Sequence, residues 1–118
     1  MTIRSKPTRS LAEIFVQIKD LSDRDLKDLG AAGWKLMEEV GEFAETVNHS
    51  QGFLPHKIMK ETPFGEAADV IQNILGILFR VYPEMTPAQI MDELQWQLGH
   101  KTDKWEEVLK MHPSRAKF

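Results

Sequence analysis

Four glutamates fall within "EEVGEFAE", at positions 38, 39, 42 and 45, and two further acids, Glu66 and Asp69, stand three residues apart in "GEAAD". On a helix advancing about 100° per residue, Glu38, Glu42 and Glu45 share one face and Glu39 lies about 60° from Glu42. Like charges at such spacings destabilise an isolated helix by a few tenths of a kcal/mol per pair, and by more when drawn out of water. Two acidic pairs facing each other across consecutive helices would supply four carboxylates to a hard cation. Mg²⁺ takes oxygen ligands in a near-octahedral array and commonly bridges to substrate phosphates, so the pattern points to phosphate chemistry. Taken alone, the first acidic run also reads as a solvated charged face.

Other site chemistries lack their residues. None of His49, His56, His100 or His112 has a glutamate three residues before it, as a Glu-x-x-His di-iron bundle requires. HExxH spacing, P-loop glycines and dinucleotide-type glycines are absent, and there is no cysteine for a thiolate site or a disulfide.

The elements that must position the acids are helical. Ser10 offers an N-cap to "LAEIFVQIKDL", where Leu11, Ile14, Phe15, Ile18 and Leu21 recur at helical spacing. "SDRD" at 22–25 is expected to cap a second helix, which carries the glutamates and whose start Gly30 and Gly33 weaken or bend. Residues 48–61 hold Gly52 and Pro55 without a sustained period and read as a loop. Thr62 before Pro63 opens a third helix running to about Tyr82, where Pro83 stops it. "TPAQ" at 86–89 is a capping box launching a last helix through Ile90, Met91, Leu94, Trp96, Leu98, Trp105 and Leu109, with Pro113 ending it.

The third helix, "GEAADVIQNILGILFRV", is apolar over most of its circumference, which places it inside the bundle and leaves Glu66 and Asp69 at least partly buried. Arg80 is at least three turns along the axis and cannot serve both from its own helix; lysines of the last helix are the alternative partners. No strand pattern competes. The expected fold is all-α, a single four-helix bundle over residues 10–112 with a flexible arm at 1–9 and a short tail at 113–118.

A chain of 118 residues with 42% hydrophobic content suffices for one domain with a real core. A net charge of -3 without a basic stripe argues against nucleic-acid binding through phosphate neutralisation. The longest apolar run is broken by Gln72 and Asn73, well short of the roughly 18 residues of a membrane span, and nothing opens the chain like a secretory leader, so a cytoplasmic location is the default.

"EEVGE" followed across a loop by "EAAD" resembles the EExxE...ExxD signature of the MazG-like, all-α nucleoside triphosphate pyrophosphohydrolases, and the likeness extends over roughly residues 30–105. The resemblance implies Mg²⁺, with Mn²⁺ as a substitute, held by Glu39, Glu42, Glu66 and Asp69. Glu38 would orient a ligand or activate water for attack on the α-phosphorus, releasing pyrophosphate and a nucleoside monophosphate. It further implies phosphate contacts from the last helix, for which Lys101 and Lys104 are candidates, although Asp103 or Trp105 stands where an asparagine is common. Asn73 joins the candidate substrate contacts. Trp34, one turn before the acids, either stacks on a base or fills the core, and His56 and Lys57 are loop candidates. The family forms dimers, or tetramers as pairs of dimers, and an apolar third helix in so short a chain supports a homo-oligomer.

Nucleotide pyrophosphohydrolysis is thus the leading expectation. A phosphoribosyl-ATP pyrophosphohydrolase-like enzyme is an alternative within the same chemistry, and a non-catalytic helical adaptor docking a basic partner on its acidic face is one outside it.

Overall fold

The computed structural model describes residues 8–52, 59, 61–112 and 114. Among them are four helices and no strand: α1 (Leu11–Arg24), α2 (Leu29–Ser50), α3 (Pro63–Val81) and α4 (Pro87–Met111). The expected all-helical class and the number of helices are both present. Residues 1–7 of the N-terminal arm, 115–118 of the tail, and the loop residues His56 and Lys57 lie outside the described residues.

Each helix starts where its side chains satisfy orphan backbone N–H groups. Ser10 Oγ accepts from Glu13 N at 3.1 Å, and the Glu13 carboxylate accepts from Ser10 N at 3.1 Å. This box holds the Glu13 carboxyl below its usual range, chiefly through the Ser10 backbone bond. Thr62 caps α3 with Pro63 in its first turn, and Thr86 and Gln89 form the reciprocal box of α4.

The second helix departs from expectation at both ends. Ser22, Asp23 and Arg24 continue α1, and the Ser22 hydroxyl donates to the Gly76 carbonyl of α3 at 3.0 Å. Asp25 accepts from Lys27 N at 2.8 Å in a local turn, which leaves Asp28 to cap α2 through Ala31 N at 2.8 Å. "SDRD" therefore ends one helix and does not begin the next. At its other end α2 extends into the expected loop as far as Ser50, and Gly52, at φ 83°, takes the left-handed turn that follows.

Among the described residues α3 is the shared neighbour: α2 packs on it, and so do α1 and α4, which also meet each other. The buried apolar core joins Phe15 and Ile18 of α1, Leu75 and Phe79 of α3, and Ile90 of α4, with Ile14, Leu78, Met85, Met91 and Leu94 packed around it. The apolar circumference of α3 thus serves α1 and α4 on one side. Helix α2 adds nothing to this buried core; its buried side chains are Glu39 and Thr46. None of the described helices is long and apolar enough to cross a membrane.

Among the described residues Phe79 is the one fully buried large side chain, and it belongs to the core shared by α1, α3 and α4. Phe79→Ala removes this packing and leaves a cavity, so it is expected to destabilise the protein by about 3–5 kcal/mol, read as a lowered midpoint in urea denaturation.

Candidate metal centre

Helix α2 meets α3 through polar atoms at the end where the acidic motifs lie. One carboxylate oxygen from each of Glu39, Glu42 and Glu66 lies within 4.8 Å of the other two, and the same holds for Glu61, Glu66 and Asp69. Glu66 belongs to both groups. The four carboxylates expected as ligands therefore converge, together with Glu61, which the sequence reading did not single out. Two oxygens on one Mg²⁺ at about 2.1 Å stand about 3–4 Å apart, so small side-chain rotations bring either group into binding geometry.

Burial sharpens the problem. Glu39 is only 6% exposed and Glu66 only 7%, and Oε2 of each is buried without a hydrogen-bond partner. Such orphaned charged oxygens are costly in a protein interior. Burial is the main reason the Glu66 carboxyl is pushed up, with Glu42 next and Glu61, Asp69 and Glu39 adding to it. Glu61 is likewise raised, mostly by Asp69. The positive end of α3, in whose first turn Glu66 lies, offsets part of the repulsion.

One countercharge comes from the chain itself. Lys35 Nζ lies 3.0 Å from Glu39 Oε1 and 3.6 Å from Glu38 Oε2, and Glu39 is the main cause that raises the lysine's pKa. The partner of Glu39 is thus one turn away on its own helix, and among the described residues no lysine of the last helix pairs with Glu66 or Asp69, for which they were the alternative partners. The pair leaves Glu39 Oε2 and the whole of Glu66 unanswered. An all-oxygen set with two buried unpartnered atoms fits a hard divalent cation such as Mg²⁺ or Mn²⁺.

A cavity of 590 Å³ opens beside the carboxylates, in the size range of small-molecule sites. Glu39 and Asp69 stand in its wall; Lys35, Arg80, Arg24 and Lys27 add positive charge, and Ile18, Leu21 and Ile77 add apolar surface. Asn73 also lines it, with Nδ2 donating to the Asp69 carbonyl at 3.0 Å. Of these cations, the i, i+4 spacing of Lys35 and Glu39 was readable in sequence; the placement of Arg24 and Lys27 depended on where α1 ends.

Four expected residues stand elsewhere. The Glu38 side chain is 68% exposed and belongs to neither carboxylate group, because it lies about 100° round the helix from Glu39. Trp34, five residues before Glu39 and about 140° round, is 71% exposed, so it is not a core tryptophan of the single chain and does not line the cavity. Lys101 and Lys104 are exposed on the outer half of α4, which packs on α1 and α3, not on α2; neither reaches the cavity within one chain.

Compared with protein-family models, with curated proteins and with solved structures, the chain gives no match.

The raised Glu66 carboxyl has a definite pH signature. A carboxyl whose folded pKa exceeds its unfolded value contributes stability below the unfolded value and loses it as pH rises through the folded one. In chelator, the melting temperature of the wild type is expected to fall relative to Glu66→Gln as pH rises out of the ordinary carboxylate range. Added Mg²⁺ should stabilise the wild type least at the acid end and increasingly above it, measured by calorimetry. A wild type that instead gains on the variant with rising pH would contradict the burial penalty at Glu66.

Proposed function

We propose that the chain is a Mg²⁺-dependent nucleotide pyrophosphohydrolase that converts nucleoside or deoxynucleoside triphosphates to monophosphate and pyrophosphate, and that it works as a homo-oligomer. One observation carries the reading: carboxylates with buried, unpartnered oxygens converge at the edge of a cavity whose wall also holds four cations, Lys35, Arg80, Arg24 and Lys27, against a single further acid, Asp25. A docking face for a basic protein would keep its acids in water, whereas Glu39 and Glu66 are withdrawn from it.

Glu39, Glu42, Glu66 and Asp69 would hold the cation, which when bound neutralises charge on phosphate oxygens and lowers the pKa of coordinated water. Lys35, paired with Glu39, would bind the polyphosphate beside the carboxylates, with Arg80 further along the same cavity, and Ile18, Leu21 and Ile77 would give the nucleoside an apolar wall. Attack of water on the α-phosphorus breaks its bond to the bridging oxygen, and the pyrophosphate leaves with that oxygen. Glu38 shares Lys35 with Glu39 and acts by orienting the lysine.

Support for the oligomer comes from what a single chain leaves open. Helix α2 packs on α3 alone among the described residues, and Trp34, Met37, Val40 and Val47 remain exposed on it. Helix α4 exposes Trp96, Leu98 and Trp105. A second copy covering these faces makes a dimer, with a tetramer as a pair of dimers, and gives Trp34, Lys101 and Lys104 a route to a neighbouring pocket.

Pyrophosphate release should be observed with a panel of nucleoside triphosphates in Mg²⁺ and abolished by chelator. Glu42→Gln and Asp69→Asn keep side-chain shape while removing a charge, so each is expected to lower turnover by at least about a hundredfold with the helical circular dichroism unchanged. Light scattering should give at least twice the chain mass of 13.6 kDa at micromolar concentration. Undiminished turnover in either variant would remove that residue from the ligand set.

A further inference from the structure

Glu61 lies one residue outside α3, before the Thr62 cap, where an acidic side chain ordinarily extends into solvent. Here it folds back along the first turn. A Cβ built on Gly65 would stand 3.0 Å from Glu61 Oε2 and 3.3 Å from both its Cβ and Cδ, so the missing side chain at Gly65 provides the room. The fold-back brings a Glu61 oxygen within 4.8 Å of oxygens of Glu66 and Asp69, adding a third negative charge where two already repel. Independently, Glu66 Oε2 is buried without a partner, and Glu66 is the residue common to both carboxylate groups.

Charge balance favours more than one cation. Among the described residues Glu39, Glu42, Glu61, Glu66 and Asp69 face a single lysine in direct contact, which leaves an excess of four negative charges there. Two divalent cations cancel it and one does not. The two carboxylate groups also overlap only at Glu66, a carboxylate with two oxygens and therefore able to bridge.

We propose that Glu61 is a metal ligand, forming with Glu66 and Asp69 a second divalent-cation site next to that of Glu39, Glu42 and Glu66, and that Gly65 leaves the room for it. The inference rests on the metal-dependent reading above and adds to it a residue outside the paired acidic motif. A second cation at this place would contact the polyphosphate from the N-terminal end of α3.

Mn²⁺ titration of the whole chain, followed by electron paramagnetic resonance and calorimetry, tests it without reference to turnover. The wild type is expected to bind two Mn²⁺ per chain with spin coupling between them. Glu61→Gln, an exposed position outside the helix, should weaken one of the two by at least about tenfold and abolish the coupling, while leaving the other within about twofold. Gly65→Ala should act in the same direction but more weakly, because its methyl group crowds Glu61 and obliges the carboxylate to shift by a few tenths of an ångström. Unchanged stoichiometry and affinity in Glu61→Gln overturns the second site and leaves the hydrolase reading standing; a wild type that binds no Mn²⁺ overturns both.

Discussion

The structure depends on two carboxylates, Glu39 and Glu66, withdrawn from water between α2 and α3. In an ordinary helical pair the buried positions are apolar and the contact is self-sufficient. Helix α2 instead buries a glutamate and a threonine, and the threonine hydroxyl is satisfied within its own helix by the Phe43 carbonyl at 2.7 Å. Partly buried Leu36 and Phe43 flank these positions, and between them negative charge faces negative charge, relieved on one side by Lys35. The docking of α2 is therefore coupled to how this charge is answered, and a cation bound there would strengthen it.

Helix α3 makes this tolerable by being held from its other side. Leu75 and Phe79 lock it to α1 and α4, and the Ser22 hydroxyl ties the end of α1 to the Gly76 carbonyl. The carboxylates Glu66 and Asp69 thus project from a helix whose position does not depend on them. The division suits a site: one wall belongs to the core, and the opposing wall is a helix held by that wall alone among the described residues.

Much of this was legible in the sequence, and the reasons for the exceptions are physical. Capping is local chemistry, so Ser10, Thr62 and Thr86 announced three helix starts correctly. The start of α2 was misread because "SDRDLKD" offers several capping residues, and the competition was decided by tertiary contact: Ser22 bonds to Gly76, fifty-four residues away, and Asp28 is left as the cap. Helical periodicity brought four acids together, since i, i+3 spacing fixes a face. It did not reveal Glu61, whose inclusion depends on a backbone turn before the helix and on the empty space at Gly65. Nor did it show which apolar residues would be covered: Trp34 and Trp105 have the character of core residues, yet both are exposed on the single chain.

That exposure bears on how the site could be completed. An isolated helix of the length of α2 gains little from propensity alone, since helical stability in proteins comes mostly from packing an apolar face. Trp34, Met37, Val40 and Val47 of α2 stay exposed, whereas the face turned toward α3 carries partly buried Leu36 and Phe43 on either side of Glu39. Two agents can therefore stabilise it, a cation on the acidic side and apolar surface on the other, and they act on the same helix. If both bind only the docked position of α2, each strengthens the other, because the first to bind has already met the cost of ordering the helix. Metal affinity would then rise with oligomerisation and oligomerisation with metal, a reciprocity that thermodynamic linkage requires of any two ligands selecting one conformation.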